Sequence, residues 1–399
     1  MIYHKSIMFK KVTFMFFIFL AGFIGAYLIY GKIFPSKVEE ISKKINLDLP
    51  FGNSKDEVIG FLPYWLISKA DKDYTKYLTT LAYFSLSLSE DGTVQKFTNP
   101  GETEPGYLSL TRGKADSFFE SFKKEGATLS LVIFGGDDEK ITAMLNEPEI
   151  SAQNLMSDIS PLMDEYGFTD LNLDIEQVGD ASPSARLKYT RFVKKVGDIL
   201  REKEDTTLSV CVYASSFVKE TNLVDIINVE PLVDKFIVMA YDYHSIGSSV
   251  TGAVAPGEGG GATSEFDVLT SIKAGRNMVP SEKIVLGIPL YGYEWETIRN
   301  TPRSAIIPGT GMTISNRRAE EFLVNCATCS AVFDETDKEN YVIYKNDETG
   351  NFHQAFFPDI KSTEYKIKLA KDHKLGGLAL WALGYEGNSI LEPLSGYRD

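Results

Sequence analysis

The chain has 399 residues, 43% apolar and 12% aromatic, with 32 Gly, 16 Pro and three cysteines, a composition that excludes low-complexity disorder, a collagen-like repeat and a disulfide-dense scaffold. All five basic side chains of residues 1–38 fall where no Asp or Glu occurs, so residues 39–399 carry 36 Lys and Arg against 55 Asp and Glu. A surface that acidic repels phosphate backbones and excludes nucleic acid as a partner.

Val12 to Tyr30 run for nineteen residues without a charge, preceded by His4, Lys5, Lys10 and Lys11. The run is long enough to span a bilayer, whereas a cleavable signal peptide has an apolar region of about 7 to 15 residues and a small-x-small exit. Here the exit is Leu28-Ile29-Tyr30-Gly31-Lys32. The expectation is a cytoplasmic tail at 1–11, one transmembrane helix at 12–30, a linker at 31–55 containing Pro35 and Pro50, and an extracytoplasmic domain over 56–388. A cleaved export signal is the alternative, and it too places the folded part outside.

Beyond Asp56 the chain repeats one theme, a short β-branched apolar run followed by helical pattern or loop. The expected strands are Val58 to Leu62, Thr79 to Leu88, Ala127 to Phe134, Phe168 to Ile175, Leu208 to Tyr213, Phe236 to Tyr241, Ile284 to Leu290 and Gly377 to Leu383. Eight such runs with crossovers predict an α/β fold, a closed (β/α)8 or TIM barrel. Helices are expected over Ala115 to Lys124, Ser184 to Glu202 (apolar at Leu187, Phe192, Val193, Val196, Ile199 and Leu200) and Ser362 to Asp372. The long gap between strands seven and eight predicts a small β-rich insertion over about 293–372, with strands Tyr341 to Tyr344 and Phe352 to Phe357 around the turn Asn346 to Gly350.

Strand four carries the chemistry. In Phe168-Thr169-Asp170-Leu171-Asn172-Leu173-Asp174-Ile175-Glu176, side chains alternate, so Asp170, Asn172, Asp174 and Glu176 share one face. A central parallel strand is apolar on both faces, and four stacked polar groups cost several kcal/mol unless hydrogen-bonded or used. An edge strand with a solvated face is the bland alternative, disfavoured by the apolar neighbours. Two carboxyls two positions apart lie within about 6 to 7 Å, so one keeps its proton near neutral pH and supplies a general acid without histidine. Cleavage of a glycosidic bond requires such a protonated carboxyl beside a second carboxylate.

From about Val58 to Glu386 the sequence resembles glycoside hydrolase family 18, the chitinase-like barrels. That family's strand-four pattern is Asp-Gly-x-Asp-x-Asp-x-Glu; here Asp174 and Glu176 match, while Thr169, Asp170 and Asn172 depart from it. Asn172 can hydrogen-bond Asp174, though it cannot share a proton with it. Met239-Ala240-Tyr241-Asp242, Tyr291, Trp381 and the Gly60-Phe61-Leu62-Pro63-Tyr64-Trp65 segment are similar to family motifs, whereas Ile133 stands where the family usually has Ser. The stretch His353 to Asp359 resembles the insertion of the peptidoglycan-directed branch.

The resemblance implies hydrolysis of β-linked N-acetylglucosamine-type glycans by substrate-assisted retention, an exception to the two-carboxylate scheme. It assigns catalysis to Glu176, Asp174 and Tyr241, and substrate binding to Asn172, Asp242, Met239, Tyr291, Trp381 and Phe61, with no cofactor. The implied partner is an N-acetylated polysaccharide or oligosaccharide; the membrane is met only through the N-terminal helix. A non-catalytic, lectin-like protein on the same barrel stays open as the alternative.

His244, His353 and His373 lack metal-ligand spacing, so no metal site is expected. Gly257 to Gly261 lacks a Gly-Lys-Ser/Thr signature and is expected to be a mobile loop. Cys326 and Cys329 form a lone Cys-x-x-Cys, expected as a local disulfide outside the membrane, and Cys211 as a buried thiol.

Overall fold

Each of the eight apolar runs forms one strand of a closed parallel barrel in the computed structural model, which describes residues 57–397. In chain order the barrel strands are Glu57–Pro63, Thr80–Ser87, Thr128–Gly135, Asp170–Ile175, Thr207–Tyr213, Lys235–Met239, Ile284–Pro289 and Gly377–Trp381. Each pairs with its sequence neighbour, and the last closes onto the first through Glu57↔Gly377 and Gly60↔Leu380. The segment expected to cross a membrane, Val12 to Tyr30, lies outside the described residues, and among those described no helix is long and apolar enough to span a bilayer.

Strand alternation divides the core into two layers. Leu171, Leu173 and Ile175 point outward into a cluster shared with the helices, together with Leu131, Ile133, Leu286 and Leu380. Ile59, Phe61, Ala82, Phe84, Val132, Cys211, Ile237, Val285 and Ala379 fill the inside. Each Leu or Ile so buried contributes about 1.5–3 kcal/mol, enough to hold the polar face of strand four inward. Ile133 therefore belongs to the helix-facing layer, and the inward residue beside it is Phe134, in register with Asp174.

Helix Pro183–Leu200 shows how local sequence sets an element. The Ser182 hydroxyl caps Ala185 N at 3.1 Å, and Pro183 occupies the first turn, where its missing N–H costs nothing. Tyr189, Phe192, Val193, Val196 and Leu200 form the buried stripe. Leu187 is not part of it: it is 63% exposed, because it lies half a turn from Tyr189.

The insertion is a five-stranded antiparallel sheet in the order Met312–Ser315, Tyr291–Thr297, Phe352–Phe357, Glu339–Lys345 and Val332–Asp334. Its hairpin turn is the expected one, with Asn346 Oδ1 accepting from Glu348 N at 2.9 Å and Gly350 at φ 72°. The sheet occupies 291–357, narrower at its C-terminal end than the sequence suggested, since helix Ile360–His373 returns to the barrel and buries Ile367, Leu369 and Ala370 in the helix-facing layer. Tyr291 follows strand seven after a single residue, so the sheet is joined directly to the barrel mouth.

Candidate functional site

At the C-terminal ends of the strands a cleft of about 490 Å3 is lined by Asp174, Glu176, Tyr213, Met239, Tyr241, Asp242 and Trp381. That is the face on which barrel chemistry is carried. Strand four brings its carboxyls there by alternation, and strand five supplies a matching column of partners. At the bottom, Asp170 accepts from Ser130 Oγ (2.6 Å), Thr207 Oγ1 (2.5 Å) and Ser209 Oγ (2.9 Å), which satisfies this buried carboxyl. One step up, Asn172 donates from Nδ2 to Ser209 Oγ at 2.9 Å and accepts at Oδ1 from Cys211 Sγ at 3.3 Å. At the top, Tyr213 OH donates to Glu176 Oε2 at 2.8 Å.

Asp174 is the exception in that column: it is 3% exposed and its Oδ1 is buried without a hydrogen-bond partner. Asn172 does not bond Asp174, because the register sets it opposite Ser209 and its amide is spent on strand five. Burial first, then the charge of Glu176, pushes the Asp174 carboxyl well above the usual range. Burial also raises Glu176, against the Tyr213 hydroxyl, which lowers it, and the Asp242 charge raises it again. Two carboxyls with enhanced proton affinity in one cleft can hold and pass a proton near neutral pH.

Strand six ends at Met239, and the chain then turns through Tyr241 and Asp242, the latter at φ 60°. Asp242 Oδ1 accepts from Tyr291 OH at 2.5 Å and Tyr293 OH at 2.8 Å, so the insertion sheet clamps it at the rim. Tyr291 is thus 5% exposed and stands behind Asp242 rather than in the cleft lining. Tyr241 has room because residue 287 is glycine; a Cβ there would stand 2.4 Å from Val238 O and 3.0 Å from the Tyr241 ring. Burial raises the Tyr241 phenol, so its hydroxyl stays protonated and able to donate.

Trp381, at the end of strand eight, forms the aromatic wall. Phe84 meets it edge-on at 4.6 Å and Phe61 supports it at 5.7 Å. Phe61 is 3% exposed and lies inside the barrel, not against the cleft. Trp65 is 46% exposed, edge-on to Phe84 at 5.7 Å, and extends the aromatic surface outward.

Tyr213, which donates to Glu176, and Cys211, which donates to Asn172 beneath the acid pair, are not singled out as site residues by the sequence. Tyr213 was visible only as the last residue of strand five, on the same alternation as Ser209 and Cys211; Cys211 was read merely as buried. The glycine-rich loop is tied down by neighbours, with Gly257 N donating to Asp337 O (2.6 Å) and Gly260 N to Asp267 Oδ2 (2.7 Å). Cys326 and Cys329 are disulfide-bonded, and Cys211 is free and buried. Among the described residues no cluster of His, Cys, Asp and Glu is arranged to hold a metal ion.

A parallel barrel that presents such a carboxyl pair at its C-terminal mouth, under an aromatic wall, belongs with the glycoside hydrolases, and this chain is one. Residues 57–386 match the glycosyl hydrolases family 18, and the chain belongs to that family. It is 25% identical over 329 residues to the cortical fragment-lytic enzyme of Bacillus subtilis (strain 168), covering 80% of this chain and 67% of that one. The spore cortex-lytic enzyme SleL of Bacillus cereus shares the fold with a TM-score of 0.66 at 21% identity, over 85% of this chain and 73% of that one. So does a chitinase from Cycas revoluta in complex with (GlcNAc)3, with a TM-score of 0.71 at 23% identity, over 86% of this chain and 100% of that one.

Proposed function

We propose that the chain hydrolyses β-linked N-acetylglucosamine-type glycans, of peptidoglycan or chitin-like chains, by a substrate-assisted retaining mechanism with Glu176 as general acid and base. The observation that carries this reading is the pairing of Asp174 with Glu176 in one cleft, both with raised proton affinity, beside Tyr241 and Trp381. Glu176 protonates the glycosidic oxygen while the substrate's 2-acetamido carbonyl attacks the anomeric carbon, giving an oxazolinium ion and the leaving sugar. Asp174 accepts the amide N–H and balances the positive charge; the Tyr241 hydroxyl holds the acetyl oxygen. Water then opens the ring, giving its proton back to Glu176.

The names of the relatives support a cell-wall glycan or chitin as the substrate class. The uncharged run at 12–30 supports a membrane-anchored protein with its barrel outside. The test is to incubate the protein with N-acetylglucosamine oligomers and with purified peptidoglycan and to follow new reducing ends. Glu176→Gln should lower turnover by about 10²- to 10⁴-fold. Binding of oligomers by the wild-type protein without any release of reducing ends would replace this reading with the lectin-like one.

A further inference from the structure

Below Tyr213, strand five places a thiol in its column of partners where a hydroxyl would be the ordinary donor. The proton order below it is set by chemistry. Ser209 Oγ gives its hydrogen to Asp170 Oδ2 at 2.9 Å, so it can only accept from Asn172, which must present Nδ2 to it at 2.9 Å. The Asn172 carbonyl oxygen is thereby turned toward Cys211 Sγ at 3.3 Å, and the thiol is the donor of that pair. One step beyond the paired Leu173 and Val210, the same thiol comes level with Asp174, whose Oδ1 is buried without a hydrogen-bond partner. Cys211 is 4% exposed and is the free cysteine of the chain, the other two being joined to each other.

We propose that Cys211 is the positioning residue for Asp174: its S–H is shared between the Asn172 carbonyl oxygen and the Asp174 carboxylate, turning to Asp174 whenever that carboxyl is ionised. The inference rests on the hydrolase reading and adds a residue to it. The family's strand-four pattern has an acidic residue at position 172, able to exchange a proton with its neighbour; Asn172 cannot, and the column supplies the proton one strand over. While Asp174 is neutral, the amide oxygen of Asn172 is the acceptor for the thiol. Once Asp174 faces the positive oxazolinium ring as an anion, it is the stronger acceptor, and the S–H follows the charge. Burial keeps the thiol protonated, so the donor is present throughout the working range. The other titratable groups whose charge bears on Asp174 are Glu176 on its own strand, Tyr213 on strand five, Tyr241 beyond strand six and Tyr189 on helix Pro183–Leu200.

The experiment compares the full-length wild type with Cys211→Ala and Cys211→Ser on N-acetylglucosamine oligomers across pH. It also records the infrared S–H band with and without N-acetylglucosamine-thiazoline, a stable analogue of the oxazolinium ion. Cys211→Ala should lower kcat about tenfold with little change in KM, and move the acid limb of kcat upward by about one pH unit, since the ionised form of Asp174 has lost a donor. Cys211→Ser, which keeps a donor in nearly the same volume, should recover most of the loss. The S–H band, which only Cys211 can give, should move to lower frequency when the analogue binds. Unchanged kcat and pH profile in Cys211→Ala, a serine variant as impaired as the alanine one, or a band that stays put with analogue bound would each overturn the inference. Failure of the hydrolase reading is seen separately, as absence of turnover by the wild type in the same assay.

Discussion

Replacing Tyr213 by phenylalanine deletes one hydroxyl and leaves the ring in place. That hydroxyl donates to Glu176 Oε2 at 2.8 Å, and it works against burial, which raises the carboxyl. A hydrogen bond to a charged group contributes about 1.5–3 kcal/mol. Both side chains are only half-buried, so the lower end applies, and about 1.4 kcal/mol corresponds to one pH unit. The donor favours the ionised carboxylate, so its loss raises the Glu176 pKa further. A general acid acts in its protonated form, and the alkaline limb of kcat/KM reports it in the free enzyme. The expected outcome for Tyr213→Phe is therefore an alkaline limb displaced upward by about one unit. Initial rates of reducing-end release between about pH 4 and pH 9 measure it. A limb that stays in place, or moves down, would show that the Tyr213 hydroxyl does not act on the ionised form of Glu176.

Trp381→Ala removes the wall braced by Phe84 and Phe61; affinity for N-acetylglucosamine oligomers, followed by calorimetry with a Glu176→Gln background, should fall by about 2 kcal/mol, and an unchanged Kd would refute the sugar-facing role. Gly287→Ala places a methyl group against Val238 O and the Tyr241 ring, and should cost about 1–3 kcal/mol of stability and lower kcat; a variant with wild-type melting and rates would contradict the close approach. Glu339 is fully buried, accepts from Val254 N and Ala255 N, and burial raises its pKa from 4.5 to about 7. The folded state therefore holds a proton that the unfolded chain releases, so stability present below about pH 4.5 is lost as pH rises toward 7, by about 3 kcal/mol. Glu339→Gln should flatten that decline in thermal unfolding, even though it also leaves the buried Lys366 without its counter-charge. An equally steep decline in the variant would assign the pH dependence to other groups.

Much of this molecule was legible before any coordinates. Alternation is a local property with a period of two, so the shared face of Asp170, Asn172, Asp174 and Glu176 follows from their spacing once the leucine face is buried. The apolar runs placed Tyr241 at the end of strand six and Trp381 within strand eight, and the turn residues Asn346 to Gly350 placed the hairpin. Partnership across strands depends on register, which is set by closure of the whole barrel and by no short stretch of sequence. The shift of the Asn172 amide from Asp174 to Ser209 and Cys211, the donation from Tyr213 to Glu176, the burial of Phe61 beneath Trp381, and the clamp of Tyr291 and Tyr293 on Asp242 were all decided there. The composition of one strand determined that acids would face the barrel's interior; the folding of its neighbours around it decided which protons those acids would meet.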